Sequence, residues 1–271
     1  MCTSIVANKK KTIVGWNLDI MDFEYRIRPT DDGVFIEIND ATEGWMPLFG
    51  ANRRGDFVGM PTCWPHDERS DPADGDTNVI MLNIDLLMMK KTLQQVCDFV
   101  QDNRVCSVPE LTFMSSLSDS NGNVLHIVPG LGFKYYEKPD YKIMTNFPPF
   151  VPNPLQHPWM GLDRYRKAES LLGAVTDDFD VDNCFQVLNE VSQTVCPTVI
   201  SMVLMSPIKP SIGATTAIMV KLRLKDSNWM SRLPNILSLF RIVWAAALLC
   251  DVVGTTFQKK TKKTLDSSLG A

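Results

Sequence analysis

The stretch Met1-Cys2-Thr3-Ser4-Ile5-Val6-Ala7-Asn8-Lys9-Lys10-Lys11-Thr12-Ile13-Val14-Gly15-Trp16-Asn17-Leu18-Asp19 decides how this chain is read. Two apolar, β-branched runs flank a polar turn at residues 8–11, the pattern of an antiparallel hairpin. If the strands pair, the second carries Asp19 back to just beyond Cys2. Removal of the initiator Met1 would leave a thiol and an α-amine on one residue. Their reference pKa values are roughly 8.5 and about 7.7–8.0, so Cys2 could supply both nucleophile and base. No long apolar core follows the lysines, so no signal peptide is expected to remove Cys2.

Working outward, residues 34–38 read as a third strand, and residues 46–52 and 57–62 as a hairpin turned at Gly55. Residues 65–76 form a polar loop that holds His66, read as a solvated loop histidine. Thr92 opens a helix with a capping box to Gln95, and Leu93, Val96, Cys97 and Val100 share one face of it. Residues 113–117 and 124–128 flank Asn121-Gly122-Asn123 as a further hairpin. Two helices are expected at 162–174 and 182–194, then strands at 199–205 and 215–224. Strands, a helical middle and strands again predict an α+β fold of stacked layers. Residues 234–253 are strongly apolar but carry Arg241 and Asp251. They read as a buried or partner-facing helix rather than a membrane span, which needs about 20 mostly apolar residues.

Composition narrows the chemistry. The 271 residues are 45% hydrophobic and 21% charged, with a net charge of −4, which argues against a nucleic-acid binder. Seven cysteines without a C-x-x-C pair, and only three histidines, give no zinc pattern. No metal or cofactor is expected. The odd, scattered cysteines suggest reduced thiols and a cytoplasmic protein. Neither a membrane partner nor nucleic acid is expected, and a homo-oligomer is left open.

Four motifs line up in order: Cys2-Thr3-Ser4-Ile5, Gly15-Trp16-Asn17-Leu18-Asp19, Phe49-Gly50-Ala51-Asn52-Arg53-Arg54-Gly55 and Met144-Thr145-Asn146-Phe147-Pro148. Together they resemble the choloylglycine hydrolase family, the linear-amide hydrolases that include bile salt hydrolases and penicillin V acylases. The resemblance covers about residues 1–203. It implies a four-layer αββα N-terminal-nucleophile hydrolase sandwich, with residues 1–205 as the core and 206–271 as a divergent C-terminal segment of the same domain. It also implies a small-molecule amide substrate, removal of Met1, and Cys2 as nucleophile. Asp19 would orient the N-terminal residue. Asn52, through its backbone N–H, and Asn146, through its side-chain amide, would line the oxyanion hole.

Large side chains near the motifs, Trp16, Met21, Phe23, Trp64 and Phe147, are candidates for the wall of an apolar acyl pocket. The chain departs from the family at two places. Trp16 stands where the family has an arginine beside the nucleophile, a charge that would lower a thiol pKa. Residues 193–198 lack the arginine expected in that loop, and Arg223 is only a distant substitute. Two alternatives therefore stand beside hydrolysis: a catalytically impaired binding or structural protein, and an acyltransferase.

Overall fold

In a computed structural model, residues 2–21, 23–151, 154–156, 159–206, 219–224 and 249–250 are described. The expected first hairpin pairs β1 (Cys2–Asn8) with β2 (Thr12–Asp19), from Cys2 opposite Leu18 to Asn8 opposite Thr12. Both strands are buried throughout, which explains why they read as continuous apolar runs rather than alternating ones. Next come β3 (Tyr25–Thr30), β4 (Gly33–Asp40), β5 (Gly44–Asn52) and β6 (Phe57–Gly59). A short parallel pair, β7 (Thr77–Asn78) and β8 (Val105–Cys106), brackets helices α1 (Val79–Leu87) and α2 (Leu93–Asp102). The chain continues through β9 (Ser115–Ser118), β10 (Val124–Val128), β11 (Gly132–Tyr136), β12 (Tyr141–Met144), α3 (Leu162–Gly173), α4 (Val181–Glu190), β13 (Thr198–Ser206), β14 (Met219–Leu224) and β15 (Leu249–Cys250).

Among the described residues the strands form two large sheets, ordered β12-β1-β2-β13-β14-β15 and β11-β10-β9-β6-β5-β4-β3. Alternation along β1 and β2 sorts their side chains between two cores. Cys2, Val6, Val14, Trp16 and Leu18 enter the core between the sheets, with Ile36, Phe49 and Phe57 from the second sheet. Ile5, Ala7 and Ile13 face α3 and α4, packing with Leu172, Cys184 and Leu188. A third core joins the outer face of the second sheet to α1 and α2 through Phe35, Leu82, Leu86 and Val96. The layer order is therefore helix, sheet, sheet, helix, the expected α+β sandwich.

Local rules account for several elements. Thr92 caps α2 in the expected box with Gln95, and Leu93, Val96, Cys97 and Val100 are its buried face. Asp180 and Asn183 form a second box on α4, which the sequence reading did not identify. Gly15 is required by a close approach: a Cβ there would lie 2.6 Å from Cys184 Sγ and 2.9 Å from Ile5 Cγ1. The missing side chain lets α4 lie directly on β2.

The structure also departs from the sequence reading. Helix α1, with the sequence Val-Ile-Met-Leu-Asn-Ile-Asp-Leu-Leu, is apolar on most sides and offers no clear period. Helix α4 ends at Glu190 rather than 194, because residues beyond it leave the helix for the site described below. His66 is only partly solvated: Nδ1 lies 2.9 Å from Thr112 Oγ1, and Nε2 is 3.3 Å from Asp71 Oδ1. Beyond residue 206 the chain returns to the first sheet as β14, paired with β13 from Met219 to Leu224. Apart from Leu249 and Cys250, the apolar run 234–253 lies outside the described residues. No helix among the described residues is long and apolar enough to cross a membrane.

Candidate active site

Cys2 begins a strand that runs inside its sheet, flanked by β12 and β2. Register then fixes its neighbours. Leu18 is opposite Cys2 on β2, and Asp19 is the next residue. On the other side Ser4 pairs with Met144, so Thr145 and Asn146 continue the line of β12 along the start of β1. Three of the four candidate catalytic residues, Cys2, Asp19 and Asn146, thus meet at one end of the first sheet, all of them buried.

Arg164, which the sequence reading passed over, ties them together. It enters from α3 and is 5% exposed. Its Nη1 donates to the Cys2 carbonyl at 3.0 Å and to Thr3 Oγ1 at 2.6 Å, and its Nη2 donates to Asn146 Oδ1 at 2.5 Å. The same guanidinium lies 3.7 Å from Asp19 Oδ2. Gly161 makes room for it, since a Cβ there would fall 2.7 Å from Arg164 Nη2 and the backbone takes a φ of +80°. The loop after α4 completes the setting. Thr198 Oγ1 donates to Asp19 Oδ1 at 2.5 Å, and Gln193 Nε2 donates to Asp19 Oδ2 at 2.6 Å.

These contacts govern the charges. Burial pushes the Cys2 thiol up to about 11, while a hydrogen bond from the Asp19 backbone and the charge of Arg164 pull against that rise. Burial also raises the Asp19 carboxyl, opposed by its bonds from Thr198 and Gln193 and by the Arg164 charge. Burial thus favours the protonated thiol, so an attack by sulfur needs a group that takes its proton.

Asn52 is not brought to this end. Its hairpin turns at Gly55, whose Cβ position lies 3.2 Å from Ser206 Oγ, and Ser206 pairs with Thr12. Cys2 sits six residues up β1 from Asn8, the partner of Thr12, or roughly 20 Å at about 3.3 Å per residue. Moreover, the Asn52 N–H donates to the Asp56 carbonyl at 3.0 Å, and its side-chain amide donates to Asp56 Oδ2 and the Leu86 carbonyl, both at 2.9 Å. Asn52 shapes its turn. The second sheet reaches Cys2's end through the chain that follows β6 instead: Thr62 O accepts from Asn146 Nδ2 at 2.6 Å, and Trp64 N–H donates to Asn146 O at 2.8 Å.

The apolar candidates divide. Trp16 is a core residue, fully buried, with its ring centroid 4.5 Å from that of Phe49 and 6.5 Å from that of Phe57. Phe147 is also buried, stacked on Trp159 at 6.3 Å and edge-on to Tyr165 at 5.2 Å. Both are filling between elements rather than pocket wall. Met21, Phe23 and Trp64 are exposed, at 50%, 61% and 40%. Met21 follows two residues after Asp19, and Trp64 is bonded to Asn146, so both border the site. No cluster of metal-binding side chains occurs among the described residues.

No protein-family model matches the sequence, and no curated protein matches it. Solved structures do match in fold. A mutant of the conjugated bile acid hydrolase of Clostridium perfringens superposes with a TM-score of 0.55 at 12% identity, over 87% of this chain and 99% of that one. A second variant of that hydrolase gives 0.55 at 13% identity, over 84% and 90%. Penicillin V acylase from Agrobacterium tumefaciens gives 0.53 at 15% identity, over 81% and 85%. The resemblance read from the four motifs therefore holds at the level of the fold.

Proposed function

We propose that this chain is an N-terminal-nucleophile hydrolase of linear amides, with Cys2 as nucleophile once Met1 is removed. The observation that carries the reading is the convergence of Cys2, Asp19, Asn146 and Arg164 in one buried cluster. The fold it shares with a bile acid hydrolase and a penicillin V acylase supports the reaction class.

In this mechanism the α-amine of Cys2 takes the thiol proton, and sulfur attacks the amide carbonyl. The C–S bond forms, the C–N bond breaks, and the departing amine leaves with the proton. Water then cleaves the thioester, which frees the acid and restores the thiol. Asp19 holds the protonated α-amine in place, and Arg164 fixes the Cys2 backbone through its carbonyl. Asn146 is the oxyanion donor of this scheme. Its Nδ2 must turn from Thr62 O to the substrate oxygen, whereas Oδ1 stays on Arg164.

The test is release of amine from a panel of N-acyl amides, bile-salt conjugates and phenoxyacetyl amides, combined with intact mass. Turnover by a chain that has lost the mass of Met1, abolished by Cys2→Ser, is the expected result. A mature chain that turns over nothing and acquires no label at Cys2 from a thiol-reactive substrate analogue overturns it. One observation favours a second reading, a fold-retaining binding protein: Trp16 is core, and no arginine occupies its place beside the nucleophile. That reading expects binding of a family substrate without release of amine.

A further inference from the structure

The loop that joins α4 to β13 lacks the arginine that the family resemblance places there, yet it is anchored on the site. Gln193 and Thr198 bond to each other twice: Gln193 N–H donates to Thr198 Oγ1 at 3.0 Å, and Thr198 N–H donates to the Gln193 carbonyl at 3.1 Å. Each also donates a side-chain hydrogen to a different oxygen of Asp19. The backbone is built for this. Along β13, Ile200 pairs with Leu18, so an unbroken register would set Val199 opposite Asp19. The register instead shifts between Thr198 and Ile200 and sets Thr198 there. A bulge of this kind re-aims a side chain, here a hydroxyl in place of an apolar valine.

We propose that Gln193 and Thr198 are positioning residues that seat the Asp19 carboxylate against Cys2, a role that rests on the hydrolase reading above. The pair supplies Asp19 with two neutral donors. It fixes both carboxylate oxygens and leaves Arg164 as the cation beside Asp19 that comes from the helical layer. Helix α4 stops at Glu190 because the three residues after it carry Gln193 to the carboxylate.

Two variants separate positioning from mere packing. Thr198→Val keeps the shape but removes the donor, and Gln193→Glu keeps the length but turns a donor toward Asp19 into an acceptor. Each is expected to lower kcat by about tenfold to a hundredfold with little change in KM, as misplacement of a catalytic group does. Each is also expected to slow labelling of Cys2 by methyl methanethiosulfonate, read by mass on the N-terminal peptide. Thr198→Ser, which keeps the hydroxyl, is expected to restore both to within about threefold. Thermal melting accompanies each variant, and Gln193→Ala, which removes the donor without adding a charge beside Asp19, keeps the test decisive if Gln193→Glu fails to fold. If labelling and kcat in both variants equal those of the parent, the proposal is overturned. If no amide is cleaved by the parent, yet labelling falls in Thr198→Val and returns in Thr198→Ser, the hydrolase reading fails while the positioning role stands.

Discussion

Arg164 holds more of the site together than any residue visible in the motifs, because one planar group reaches Cys2, Thr3, Asn146 and Asp19. Lysine has the charge but not the fork. Arg164→Lys should therefore lower kcat at least about tenfold, and Arg164→Met should cost about 3 kcal/mol, since it removes the cation beside a buried carboxylate and leaves the Cys2 carbonyl and Asn146 Oδ1 without their donor. Steady-state kinetics and urea unfolding read the two effects. The sequence hid Arg164 for a physical reason. It lies in a charged helical segment, off the apolar stripe of Leu162, Tyr165 and Ala168, and so reads as solvated until the fold supplies Asn146 and Asp19. Asn52 shows the reverse: its motif was legible, but not the sheet end at which its hairpin turns. His126 is a second residue with a measurable signature. Burial drives it down from 6.5 to about 3, so it is neutral when folded. The unfolded chain binds its proton first, so stability is complete above pH 6.5 and is lost as pH falls toward 3. The slope approaches about 1.4 kcal/mol per pH unit for this one group. His126→Leu should flatten that slope in urea titrations at pH 7, 6 and 5, and an unchanged slope would refute this origin.

At the scale of elements, hairpins and caps were readable because their signals are local. Thr92 and Gln95 specify the start of α2 within four residues, and Thr92→Ala should cost about 1 kcal/mol in thermal or urea unfolding. Contacts between elements were not readable. Gly15 gives no sign in the sequence that Cys184 of α4 rests against it, yet any added carbon must displace that sulfur or Ile5. Gly15→Ala should destabilise by about 1–3 kcal/mol, and Gly15→Ala with Cys184→Ala should recover part of the loss. Recovery would identify the clash as the cause, whereas simple additivity would locate the cost in the strand itself. Strands β3, β11 and β12 were missed for a related reason. They are short, partly exposed and held mainly by register with their neighbours.

For the whole molecule, stacked layers followed from the order of elements and the four-layer sandwich from the resemblance, and the inter-sheet core explains why a tryptophan fits at position 16. Trp16 is packed between sheets against Phe49 and Phe57, and its indole N–H meets no hydrogen-bond partner among the described residues. Placing an arginine there by Trp16→Arg alone should destabilise the fold. It would bury an unpaired cation among aromatic rings and cost more than about 3 kcal/mol, seen as a large fall in Tm. Only a fold that had also reshaped Phe49 and Phe57 could accept it. The same packing gives the molecule a built-in optical gauge. Trp16, held dry between the sheets, should emit at short wavelength and resist acrylamide, whereas the exposed Trp64 should be quenched from the outset. In a variant that keeps only Trp16 and Trp64 of the six tryptophans, a red shift of the shielded emission therefore marks the moment the two sheets part, and a change confined to the quenchable fraction marks movement at the rim.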